Sequence, residues 1–118
     1  MKAPALLAVA ALLAMPLDAV TIANPASDRL SQLSDIPRRA SLRAALMDSG
    51  MYCKRVEQAA LQGPWKNLMM WRAKCDLHDP RLDYGLFIGP DGSVQARPCG
   101  DMAYLKLPAC RPLIRRAP

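Results

Sequence analysis

The sequence predicts a small α+β domain, one helix packed on a four-stranded antiparallel meander, carrying two disulfides and preceded by a signal peptide. Three observations predict it. An apolar run follows a charged N-terminus. One stretch of helical periodicity gives way, after Gly50, to alternating segments separated by turn residues. All four cysteines lie beyond the apolar run.

The first element is the leader. Met1-Lys2 is a short positive segment, and Ala3 to Leu17 is almost wholly apolar. A membrane span needs ~20 residues, so this run is short for an anchor. Thr21-Ile22-Ala23 supplies small residues at the −3 and −1 positions of a cleavage site. Residues 1–23 therefore read as a signal peptide, and the expected location is periplasmic or secreted. About 95 residues remain, enough for one small domain.

Residues 24–36 read either as a linker or as a short helix with Asn24 as cap and Pro25 at its first position. The single small domain is expected over residues 37–110, with a basic tail over 111–118. A helix is predicted from about Pro37 to Ser49. Leu42, Ala45, Leu46 and Ser49 share one face, and Gly50 suits a left-handed stop.

Strands follow. Tyr52 to Gln58 is the first, although its alternation is imperfect, and Leu61-Gln62-Gly63-Pro64 breaks it. Asn67 to Cys75 alternates Met69, Trp71, Ala73 and Cys75 against Arg72 and Lys74. Leu82 to Ile88 places Tyr84, Leu86 and Ile88 on one face. Gly89-Pro90-Asp91-Gly92 makes a hairpin turn into Ser93–Arg97. The proline-punctuated segment after Cys99 is expected to be loop, or at best an edge.

An even cysteine count in a small exported chain implies disulfides. No C-x-x-C pair is present for zinc or redox chemistry. A hairpin centred on Pro64 sets Cys53 opposite Cys75. Cys75 and Cys99 would lie two strands apart, ~9–10 Å at ordinary strand spacing and too far to bridge. The expected pairs are Cys53–Cys75 and Cys99–Cys110. The register carries one conflict: it sets Arg55 and Glu57 on the face of Met69 and Trp71. A bulge in the first strand, or a looser loop, would remove it.

The net charge is +6, which suits an acidic partner or loose association with an anionic envelope surface. Nucleic acid is not an expected partner. Arg38-Arg39, Lys54-Arg55 and Arg115-Arg116 are isolated basic pairs, and no aromatic ladder accompanies them. Asp76, His78, Asp79 and Asp83 cluster in one turn and define the alternative of a small hydrolase or metal-dependent enzyme. Their spacing matches no zinc or EF-hand motif. No serine lies in a G-x-S-x-G context, and Glu57 is the sole glutamate. Adjacent Met69 and Met70 point to opposite faces of a strand and cannot share a copper ion undistorted. No cofactor is expected, and no catalytic residue is assigned. Tyr52, Trp65 and Met70 form a possible exposed apolar patch for an interaction.

The helix at Leu42–Met47, the strand with Arg55-Val56-Glu57, the strand at Met69–Lys74 and the Gly89-Pro90-Asp91-Gly92 hairpin resemble the layout of PepSY-type domains. The likeness covers roughly Arg38 to Arg97, and the cysteines depart from the usual pattern. The chain is equally similar to small cysteine-bearing exported bacterial proteins. PepSY-type domains are exported α+β modules linked to peptidase propeptides. The resemblance implies an inhibitory or chaperone-like role and carries no functional residues across. The expectation is a non-enzymatic exported module that binds a protein or peptide. A strand added to the free edge of its sheet is one mode, and an envelope-associated structural role is a further alternative.

Overall fold

The computed structural model describes residues 22–113, so most of the expected leader and the end of the basic tail lie outside it. Asn24 caps the first described helix. Its Oδ1 accepts the Ser27 backbone N–H at 3.0 Å, and Pro25 takes the first position of α1, Pro25–Gln32. The stretch read as linker or short helix is thus helix, and it belongs to the domain. Asn24 Nδ2 donates to Ile88 O at 2.8 Å, and Trp71 Nε1 donates to Ser27 Oγ at 2.9 Å. Among the described residues there are accordingly two α-helices rather than one, and residues 24–36 pack as part of the domain expected over 37–110. The buried anchor of α1 is a serine, which hydrophobic periodicity does not register.

The second helix, α2, spans Asp35–Asp48 and stops before Gly50, which takes φ 80°. Leu42 and Leu46 are fully buried against the sheet. Arg38, at the start of α2, donates from Nε to Leu30 O at 2.8 Å and from Nη2 to Ser31 O and Leu33 O. It satisfies carbonyls left open at the end of α1, so one side chain sets how the two helices meet.

Four strands form an antiparallel meander in sequence order: β1 Gln58–Trp65, β2 Leu68–Lys74, β3 Asp83–Ile88 and β4 Val94–Pro98. The last three agree with expectation. The Gly89–Gly92 turn closes with Gly89 N–H donating to Ser93 O at 2.9 Å. Under the helices lie Trp71, Ala73, Tyr84, Leu86, Ile88 and Ala96.

The first strand is a correction. Tyr52–Glu57 is irregular, and β1 begins at Gln58 and runs through Gly63-Pro64. The hairpin turns at Lys66-Asn67, not at Pro64. Gln62 bulges out between the pairs Leu61–Trp71 and Gly63–Met70. Gly63 adopts φ 127°, open only to glycine, and Pro64 is tolerated because β1 is an edge. The anticipated clash vanishes because Arg55 and Glu57 never enter a strand. Val56 instead points inward and is buried.

Through residue 113 the segment after Cys99 is loop, as expected. It does not lie free or along an edge but crosses the far face of the sheet, where Met102 packs on Met70 and Phe87. Leu107, Cys110, Trp65 and Leu68 complete this smaller core. Gly85 leaves the space it needs: a Cβ there would lie 2.5 Å from the Met102 methyl. Arg72 forms an ion pair with Asp83 beneath this cover and also donates to Arg111 O. The sheet is therefore covered on both faces, and the two-layer expectation becomes helices, sheet and C-terminal segment.

Candidate functional site

Both disulfides have the expected partners. Cys53–Cys75 and Cys99–Cys110 place their Cα atoms 5.4 and 5.6 Å apart. Cys53 is not, however, a cross-strand residue. It sits in the irregular segment before β1, buried on the helix side.

Of the residues anticipated as an exposed apolar patch, Trp65 and Met70 do meet, but beneath the C-terminal segment, and Tyr52 lies apart. Met70 is 3% exposed, within the core beneath the C-terminal segment. Trp65 is half-buried on that same face, edge-on to Phe87 at 5.4 Å, with Lys66 Nζ 4.7 Å from its ring centroid. Tyr52 is exposed and belongs to the segment that packs on the other side of the sheet. Alternation alone could not reveal this, because the covering segment comes from 30 or so residues further along the chain.

The Asp76–Asp83 turn also disperses. Asp76 Oδ1 accepts the His78 backbone N–H at 2.8 Å. Asp79 binds Arg81, whose hydrogen bonds hold the Asp79 carboxyl below the usual carboxylate range. Asp83 faces Arg72. Each aspartate thus has its own partner, and among the described residues no three His, Cys, Asp or Glu side chains are placed to share a metal ion. The His78 imidazole is exposed.

The site that does assemble lies between α2 and the segment before β1. Ile36, Arg39, Ala40 and Arg43 recur at the spacing of one helical face, which is not the face carrying Leu42 and Leu46. Opposite them stand Arg55, Val56, Glu57 and Gln58, with Leu77 at one end. Together they enclose a groove of about 590 Å³, open along one side.

Its far wall is irregular for a physical reason. The backbone there is satisfied by side chains instead of a strand partner. Tyr84 OH donates to Tyr52 O at 2.8 Å. Arg43 Nε donates to Cys53 O at 3.0 Å and Lys54 O at 2.9 Å. Arg39 Nη1 reaches Val56 O at 3.3 Å. Only at Glu57, whose N–H donates to Lys74 O at 2.8 Å, does ladder bonding take over.

The groove is amphipathic and positive. Ile36 is 73% exposed, and Leu77 is exposed as well, so its apolar walls are wet. Arg39 pairs with Asp35 at 3.0 Å, and Arg55 pairs with Glu57 at 3.3 Å. Among the described residues the terminal nitrogens of Arg43 make no hydrogen bond. Sequence reading gave Arg39 and Arg43 no site role and began the helix after Ile36. The available signal was the i, i+3, i+4, i+7 recurrence of Ile36, Arg39, Ala40 and Arg43. Comparison with known proteins adds no further guide: no family model, no curated protein and no solved structure matches the chain.

Proposed function

We propose that this chain is an exported, disulfide-bonded, non-enzymatic module that binds a protein or peptide partner in the groove between α2 and residues 55–58. The observation that carries the proposal is the groove itself. Large apolar side chains, Ile36 and Leu77, stand exposed beside three arginines in a concave site. Export is supported by the paired cysteines, which suit an oxidising compartment, and by the sequence of residues 1–23. No helix among the described residues is long and apolar enough to cross a membrane.

The groove is favoured over the sheet edges as the docking site. β1 carries a bulge and Pro64, and Arg111 N–H already occupies Gln62 Oε1 at 2.6 Å. β4 has five residues and ends on Pro98. Both edges are poor templates for an added strand. Peptidase inhibition, the version implied by the PepSY resemblance, enters here as one use of the groove.

The test is peptide-display selection on the oxidised protein, repeated on Ile36→Asp. Ile36 is exposed, so its substitution leaves the core intact. Selected peptides that bind the parent and lose at least tenfold affinity for Ile36→Asp are the expected result. Peptides that bind both proteins equally place the interface elsewhere.

A further inference from the structure

We infer that the groove selects a peptide segment in which a carboxylate stands beside an apolar side chain, the carboxylate being held by Arg43 and Arg55. This rests on the reading of the groove as the docking site and names the chemistry of its occupant.

Size and shape point to a peptide. Ile36 to Arg43 covers about 10 Å of helix at ~1.5 Å per residue, the length of about three extended residues. A groove open along one side leaves a small ligand largely wet, whereas small-molecule sites bury ~70–90% of the ligand surface. A chain segment loses less, because only one of its faces needs cover.

Charge points to a carboxylate. Three arginines line the groove against one acid, Glu57, with Asp35 paired to Arg39 at the rim. Arg39 is committed to Asp35 and Val56 O. Arg43 uses its Nε for the backbone and keeps its terminal nitrogens unbonded among the described residues. The Arg55 side chain is 74% exposed and bonds only Glu57, through one nitrogen. A guanidinium fork matches a carboxylate in two parallel bonds. The Cys53, Lys54 and Val56 carbonyls are already taken by arginines. The wall therefore offers few free acceptors, which disfavours a basic or strand-forming occupant.

Glu57 gives the inference its sharpest consequence. Its pairing with Arg55 is exposed and hence weak, so an incoming carboxylate displaces it at small cost. Glu57→Gln removes the resident competitor and a repelling charge, and tightens an acidic ligand. A change that merely damaged the fold would weaken it.

The experiment uses two display libraries of random twelve-residue peptides, one with free C-termini and one anchored through them. Each is selected on the oxidised protein with counter-selection on Ile36→Asp. The expected survivors are enriched in Asp or Glu next to Leu, Ile, Val, Phe or Met. If the source is a terminal carboxylate, enrichment appears only in the free C-terminus library, with the apolar residue at its end. Arg55→Gln then weakens the selected peptides about tenfold, Glu57→Gln tightens them several-fold, and added salt erodes binding. Survivors that depend neither on Asp or Glu nor on a free C-terminus, or that are indifferent to Arg55→Gln and Glu57→Gln, overturn the carboxylate inference and leave the groove standing. No survivors of the counter-selection overturn the groove reading together with it.

Discussion

Tyr84 shows how much one side chain decides. It comes from β3, its ring lies in the core, and its hydroxyl donates to Tyr52 O at the head of the irregular segment. Burial, with a smaller push from the Asp79 carboxylate, raises the phenol above its ordinary range. The folded protein therefore holds this proton more tightly than the unfolded chain does. The associated stability is complete below the unfolded value, about pH 10, and is lost as pH rises through the higher folded value. Urea unfolding of the parent and Tyr84→Phe between about pH 8 and 11 checks this. The variant should be weaker by roughly 1 kcal/mol at the lower end, having lost one hydrogen bond. The gap should close toward the upper end, and a gap that stays constant would contradict the assignment. The Trp71–Ser27 bond is similar in kind: a polar atom on a core aromatic chooses where α1 docks.

At the scale of elements, the contrast between β1 and residues 52–57 is instructive. Both stretches are short and mixed in polarity. One pairs with β2, and the other is claimed by side chains of α2. Arg43 supplies two of those bonds from a single Nε. Arg43→Ala should therefore cost roughly 1–3 kcal/mol in urea unfolding, more than an exposed helix position normally does. Arg43→Lys should recover only part of it, since an ammonium lacks the guanidinium geometry. Hydrogen exchange localises the effect: faster exchange should appear at residues 51–57 and not in β3, and a uniform rise across the sheet would argue against the assignment.

Over the whole molecule, the disulfides divide the work. Cys53–Cys75 ties the groove wall to β2 on the helix side, and Cys99–Cys110 closes the segment that covers Met70 and Phe87. Replacing Cys99 and Cys110 together with alanine should cost about 2–4 kcal/mol. It should also expose the smaller core, read as binding of a hydrophobic dye at temperatures where the parent binds none, with the groove still able to bind its peptides. Loss of the second face while the groove survives would show that the two cores are separable. Unfolding in one step with loss of both functions would show a single cooperative unit. The groove lies on the helix side, away from this bridge, so separability is the expected outcome.

By itself, the sequence determined the elements whose physics is local. α2, β2, β3, β4 and the Gly89–Gly92 hairpin each carry their periodicity or turn chemistry within a few residues, and they fold as those residues dictate. The cysteine pairs were legible too, though Cys53–Cys75 was reached through a register the structure replaces. The right partner survived because the segment leads back to the same end of the hairpin. Tertiary structure alone decided the rest. A serine and an asparagine, not an apolar stripe, dock α1. Arginines from a helix, not a neighbouring strand, satisfy residues 53–56. A segment with no periodicity covers the second face. In each case the deciding bond joins residues far apart in the chain, and local pattern holds no record of such a bond. The groove belongs to this second class. Its helical face was present as a recurrence in the sequence, but it became a site only when the opposite wall was held irregular across from it.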